Sequence, residues 1–426
     1  MSFLLTFATI AAGSLAAQPQ SLTLKEALEA ALRSNPDLIL ARIEEQKAVL
    51  DIRVAKDPFR PKVFAGSGLA YSSGFPMSIE GAAPSIVQAR AVAALFNRPA
   101  SYRVASAQEA SRSAAIDTHA KRDEIALRTA VAFLEAARWG RTAQAIRAQI
   151  ESLQNTHATV QARVREGRDL EIEAKRSALL VAKTQHRLDS AEQQRASAEA
   201  SLGAILGLFA AERVRPVSTD PMRLGLAATE EECVRLALDQ NNELRKLESA
   251  IQAKRHELKL HKAASLPQVD LVAQYGLFAK FNNYDDFFRR FQRHNGQFGI
   301  SVQIPLFPSQ ASSAQGAQAQ ADLEALRTRA VQARSRITHE IQNNFRQINL
   351  LERSRELART ELELEREQVT ILSAQLDEGR ASFRQVEEAR FVEQEKWALY
   401  YESQLVVERA RLDLLYNTGK LLSTLL

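Results

Sequence analysis

Residues 297–307, QFGISVQIPLF, alternate strictly between apolar and polar positions. Phe298, Ile300, Val302, Ile304 and Leu306 fall on one side, and Gln297, Gly299, Ser301 and Gln303 on the other. A period of two with one apolar and one wet side predicts a β-strand. Most of the chain keeps a different rhythm. Ile337, Ile341, Phe345 and Ile348 recur at spacings of four, four and three among Arg, Glu, Gln and Ala. A stripe that narrow is a coiled-coil seam rather than the broad face of a globular core. Such helices pack side by side with water on at least one flank.

Prolines show how the two rhythms are arranged. They stand at 19, 36, 58, 61, 76, 84 and 99, and again at 216, 221, 267, 305 and 308, leaving 100–215 and 309–426 without any. Proline ends helices, so these two tracts of 116 and 118 residues permit very long ones. The halves also resemble each other. TLKEALEAALRSNPDL from Thr23 matches TEEECVRLALDQNNEL from Thr229, 206 positions later, and Pro61-Lys62-Val63 matches Pro267-Gln268-Val269 at the same offset. Leu95-Phe96 maps to Leu306-Phe307, Gly167-Arg168 to Gly379-Arg380, and Gly207 to Gly419, at offsets of 211 or 212. Matches kept in order over this length indicate an internal duplication. Residues 18–220 form the first repeat and 221–426 the second, behind a leader at 1–17.

Each repeat reads helix, strand, loop, strand, long helix, turn, helix. The first helices run near Thr23–Lys56 and Thr229–Lys262, and the strands near 62–71, 86–96, 268–278 and 297–307. The long helices start near Ser101 and Ser312, and the first reaches Glu166 over 66 residues, or about 99 Å. Gly167 and Gly379 occupy the positions of helix-ending glycines, and Ser382 with Gln385 forms an S-x-x-Q box that restarts a helix. The pattern is an antiparallel helical hairpin with its tip at 167, and another at 379.

Composition sharpens this picture only at points. The 16 glycines in 426 residues fall below the about 30 of average usage, which suits long helices. The net charge of +5 comes from arginine interleaved with glutamate, without the basic block of a nucleic-acid binder. One cysteine, Cys233, excludes a disulfide framework and a CxxC metal site, and none follows the leader to carry a lipid. The leader, MSFLLTFATIAAGSLAAQPQ, has an apolar run and then small residues, as in a Sec signal peptide cleaved after Ala16 or Ala17. No other segment approaches a transmembrane helix. The seven histidines are scattered, His256 and His261 lie five apart, and no P-loop or nucleophile elbow occurs. We therefore expect no catalytic residues, metal site or cofactor.

The strands raise a question of partners. Eleven residues span about 36 Å, which tilted by 45° crosses an outer-membrane hydrocarbon layer. In lipid, open sheet edges are not tolerated, and even small barrels need about eight strands where one chain supplies four. Three chains would supply twelve. The same alternation fits a soluble antiparallel sheet, but the duplicated strand pairs, the leader and the long hairpins together favour the barrel.

These features resemble the TolC-like outer-membrane efflux protein family. The carriers are LTLKEALEAALRSNPDL, LPQVDLVAQYGL, FGISVQIPLF with its Ala/Gln-rich sequel, LDEGRASFRQVEEARF and LDLLYNTGKLL. The resemblance implies a mainly α chain with a small transmembrane β part. Its four strands enter a trimeric 12-stranded β-barrel, continued by a periplasmic α-helical barrel. It also implies a homotrimer in the outer membrane, with a large periplasmic part and lipid around the barrel. Such a duct serves tripartite efflux or type I secretion, and a periplasmic adaptor (membrane fusion protein) bridges it to an inner-membrane RND, ABC or MFS pump. On this resemblance the hairpin tips Glu166-Gly167-Arg168 and Glu378-Gly379-Arg380 meet the adaptor, although the family's Val-Gly-Leu type motif is here flanked by charge. The acidic rings that close the family's periplasmic entrance fall on Gln385 and Glu388, with Glu387 beside them. A duct dedicated to heavy-metal cations, and a periplasmic coiled-coil adaptor or structural protein, are the alternatives.

Overall fold

The computed structural model describes residues 20–68, 85–208, 214–217, 229–278, 289, 292–306 and 310–426. Strand β1, Gln20–Leu22, lies parallel to β4, Val214–Pro216. Between them run α1 (Leu24–Ser34), α2 (Pro36–Ala55), β2 (Lys62–Gly68), β3 (Ser85–Phe96), α3 (Arg98–Arg165) and α4 (Glu171–Ile205). The second repeat follows with α5 (Glu230–Gln240), α6 (Asn242–Lys262), β5 (Gln268–Phe278), β6 (His294–Gln303), α7 (Gln310–Asp377), α8 (Phe383–Asn417) and a short α9 (Leu421–Leu425). Corresponding helices have nearly equal lengths: 11 and 11 residues, 20 and 21, 68 and 68, 35 and 35.

Where one opening helix was expected per repeat, the structure has two. Asn35 adopts an extended conformation (φ −62°, ψ 125°) because the residue before a proline is driven out of the α region. Its backbone N–H still donates to the Ala31 carbonyl, while its Oδ1 accepts from the Asp37 N–H at 2.9 Å and so starts α2. Its Nδ2 donates to the Ile205 carbonyl at 2.7 Å. Asn241 breaks the second copy in the same way (φ −63°, ψ 123°) without a following proline. Thr23 and Glu26 form a reciprocal capping box at α1, and Ser382 and Gln385 form the one expected at α8.

The chain divides into two compact units that cut across the repeats. One comprises 1–40, 119–241 and 336–426; the other comprises 41–118 and 242–335. Each unit therefore takes matching pieces of both copies. The first holds the apolar core, where Ala27, Ala31, Leu32 and Leu38 pack with Ile125, Phe133, Leu202 and Val214. Leu28, Ala126, Ala130 and Leu134 pack with Leu412, Leu415 and Leu421. Of the predicted seam on α7, Ile337, Ile341 and Ile348 are buried and Phe345 is half-buried.

Helix α8 also buries acid. Glu387, Glu393, Glu408 and Asp413 each have a pKa raised first of all by burial. Glu408 is 6% exposed and accepts from Gln404 Nε2 at 3.4 Å, with Arg141 and Arg411 pulling its pKa back only in part.

The second unit carries an antiparallel sheet of order β2-β3-β5-β6. Strand β5 covers the expected 268–278, and β3 begins one residue before the expected 86. Strand β2 is described to Gly68, so 69–71 of the expected strand lie outside the described residues. Strand β6 starts three residues earlier than expected, because His294 pairs with Leu277. It ends at Gln303, leaving Ile304, Pro305 and Leu306 beyond it, since Ile304 precedes a proline that lacks a ladder N–H. Phe307, the last of that expected strand, lies outside the described residues.

Gly379 has φ +74° with open space at its Cβ position, so Gly379→Ala should cost about 1–2 kcal/mol of left-handed strain. At Gly207 (φ +76°) a Cβ would stand 2.6 Å from the Ser34 carbonyl oxygen, so Gly207→Ala should lower the thermal midpoint clearly further than Gly379→Ala. Equal shifts in a melting experiment would refute the close approach. For Glu408, the folded state holds a proton that the unfolded state releases, so its contribution to stability falls as pH rises from the ordinary 4.5 through the raised value. Glu408→Gln should raise the midpoint at pH 8 and change it least near pH 4; a gain confined to acid would contradict the burial effect.

Candidate pore face and docking tips

The register of the sheet sorts its residues onto two faces. Val63 lies opposite Ala91, Ala91 opposite Ala273, and Ala273 opposite Phe298. The neighbouring rows are Ala93, Leu271 and Ile300, then Val269 and Val302. Directly paired residues point to the same side of a sheet, so this face is apolar across all four strands. It is also uncovered in the single chain: Phe298 is 79% exposed, and Ile300, Val302, Ile304 and Leu306 are exposed as well.

The opposite face is mainly polar, with Phe64, Val92 and Val272 as its apolar members. Gln297 pairs with Gln274, which stands opposite Arg90, itself opposite Phe64. Asn295, Gly276, Gln88 and Gly66 form the next row. Gly299 pairs with Val272, Ser301 with Asp270, and Gln303 with Gln268. Gln297, Gly299 and Gln303 are exposed and Ser301 is half-exposed. Arg90, Gln88, Gln274 and Gln297 border a concave pocket of about 530 Å³. Strands β2 and β6 each have one neighbour, so among the described residues the outer edge of each carries unpaired backbone groups.

The two helix turns have matching geometry. Gly167 has φ +69°; its N–H donates to Val164, and the Arg168 N–H donates to Arg163. Gly379, Arg380, Leu376 and Gln375 repeat the arrangement, a Schellman end in both copies. Glu166 pairs with Arg168 at 3.3 Å, and Glu378 pairs with Arg380. Each tip thus presents an exposed glycine between two opposite charges that largely cancel.

The three entrance candidates have distinct local partners. Gln385 Oε1 accepts from the Ser382 N–H at 2.8 Å and from its hydroxyl at 2.9 Å, so it is a capping residue. Glu388 accepts from Arg384 Nε at 2.8 Å, which offsets its charge. Glu387 is half-buried with Oε1 unpartnered; burial, then the nearby Glu173, raises its pKa. Sequence reasoning missed Arg390, which bridges the two hairpins. Its Nη1 donates to Ser152 Oγ at 3.0 Å and Thr156 Oγ1 at 3.4 Å. Arg187 makes a parallel link to Gln394 Oε1 at 2.9 Å. The available signal was an arginine set directly against the buried stripe of Val386 and Ala389.

Helix α7 leaves a second apolar line uncovered. Leu350, Leu357, Leu364 and Ile371 recur every seven residues and are all exposed. A heptad line of this kind is a coiled-coil seam lacking its partner helix. Among the described residues, no helix is long and apolar enough to cross a membrane, and no cluster of three His, Cys, Asp or Glu could hold a metal ion.

Residues 233–418 match the family model described as outer membrane efflux protein. No curated protein sequence matches the chain. Among solved structures, a membrane protein from Pseudomonas aeruginosa superposes with a TM-score of 0.76 at 15% identity, covering 93% of this chain and 92% of that one. The outer membrane protein VceC from Vibrio cholerae gives 0.71 at 16% identity, covering 94% and 95%. The Neisseria gonorrhoeae MtrE outer membrane channel in its open state gives 0.73 at 15% identity, covering 93% and 89%. Residues 233–418 are thus similar to the outer membrane efflux protein family, and over more than nine-tenths of its length the chain has the fold of these outer-membrane channels.

Proposed function

We propose that the chain is the outer-membrane exit duct of a tripartite efflux or type I secretion system. The carrying observation is the open four-stranded sheet, exposed and apolar on one face and polar on the other. An open edge in hydrocarbon leaves backbone groups without partners, so the sheet requires further strands there. Three copies supply twelve, a number wide enough for a water-filled lumen. The apolar face, with Phe298, Ile300 and Val302, meets lipid, and Ile304 and Leu306 continue it past the strand end. The Gln297, Gly299, Ser301 and Gln303 face lines water.

The uncovered heptad line on α7 supports association between copies, since it seats a helix of a neighbouring copy in an α-helical barrel. The exposed tips around Gly167 and Gly379 are the sites offered to a periplasmic adaptor, which links the duct to an inner-membrane pump of the RND, ABC or MFS class. At the entrance, Glu388 contributes a carboxylate that is paired with Arg384 on its own helix. The chain carries substrate passively; the pump supplies the energy.

Fractionation and planar-bilayer recording test this reading. A heat-modifiable trimer in the outer membrane that conducts ions supports it, and a soluble periplasmic monomer eliminates it. The two faces also make a paired prediction. Ile300→Arg places a charge in lipid at about 2–4 kcal/mol and should sharply reduce the assembled trimer. Ser301→Arg, one residue along on the water side, should leave assembly intact and lower conductance; the reverse pattern would show that the faces are inverted.

A further inference from the structure

The polar face of the sheet holds a charge with no partner. Arg90 is exposed in the middle of β3, and outside the backbone ladder its guanidinium makes no hydrogen bond or ion pair with another described residue. The other polar side chains bordering the same pocket, the amides of Gln88, Gln274, Asn295 and Gln297 and the hydroxyls of Ser67 and Ser85, are neutral and cannot offset it. Lys62, the other cation on this face of the described sheet, is held by Asp57 at 2.5 Å. Asp270 stands opposite Ala94, four residues along β3 from Arg90. That is about 13 Å at 3.3 Å per residue, beyond the ~8 Å screening length at physiological salt. A guanidinium stays charged at any working pH, and its fork matches carboxylate and phosphate oxygens.

We propose that Arg90 is a specificity-determining residue of the pore, favouring anionic cargo and anions over cations. The inference rests on the pore reading above: closing the barrel with three copies sets three Arg90 side chains around one lumen, a positive ring of the kind that selects anions. The amides around it supply hydrogen bonds for an oxyanion without competing charge. The corresponding cargo class is organic acids and other solutes bearing carboxylate or phosphate groups.

Reversal potentials of the full-length channel across a potassium chloride gradient test this. Arg90→Gln should shift the potential toward that of potassium, and Arg90→Glu should shift it further the same way. Arg90→Lys should leave it near wild type, which a purely structural role for the guanidinium would not predict. Trimer recovery and single-channel conductance report assembly, and the uncharged Arg90→Gln keeps the test open if Arg90→Glu fails to assemble. Conducting channels whose reversal potential is the same for wild type and Arg90→Gln overturn the role of Arg90 and leave the pore standing. Absence of conductance in the wild-type trimer overturns the pore reading itself.

Discussion

A β-sheet is finished only when its edges are. Among the described residues, the four-stranded sheet stops at β2 on one side and β6 on the other, and each outer edge offers backbone donors and acceptors. Water satisfies such groups at modest cost, but hydrocarbon does not. The apolar face at Phe298, Ile300 and Val302 calls for the second environment, while the bare edges forbid it for one chain alone. Burying the face and completing the edges are therefore one requirement, and association with further copies meets both. The uncovered heptad line on α7 makes the same demand on the helices, where unburied leucines rather than unpaired amides set it.

Placing the polar side chains gives the rest of the structure its chemical character. Charges on the helix surfaces are largely spent in pairs: Arg384 on Glu388, Arg168 on Glu166, Arg380 on Glu378. Exposed pairs of this kind add little stability but leave a near-neutral surface. Helix α8 differs because its acids are drawn into the packing, where burial favours their protonated forms. Arg390 and Arg187 use their length to join the two hairpins through hydroxyl and amide acceptors instead of carboxylates, so those links do not depend on a carboxylate's protonation.

Much of this was legible in the chain because period and punctuation are local. The strand at 268–278 follows from alternation bounded by Pro267, and the 68-residue helices from proline-free tracts. The turns at Gly167 and Gly379 follow from glycine at helix ends, and the α8 start from the Ser382–Gln385 box. The break at Asn35 does not show in the apolar pattern over 23–56, because the effect of Pro36 falls on the residue before it. The end of β6 was placed too late because alternation continues through Ile304 and Leu306 after the ladder has lost its N–H at Pro305. At the entrance, position in the family resemblance alone pointed to Gln385 and Glu388. Their local hydrogen bonds, and the reach of Arg390 across hairpins, depend on rotamers and neighbours that no spacing encodes.

The pairing of β3 with β5 joins the strand pair of one repeat to the strand pair of the next. By the duplication, β6 is the counterpart of β3 and β2 the counterpart of β5. In a closed ring, β6 of one copy meets β2 of the next, so the seam between chains is a second instance of the seam inside each chain. The molecule thus carries a template of its own intermolecular contact. Counted by seams, such a ring is six near-equivalent hairpins, of which covalent linkage has joined alternate neighbours. A gene duplication would then have halved the number of separate chains that must find one another, without changing the geometry they close.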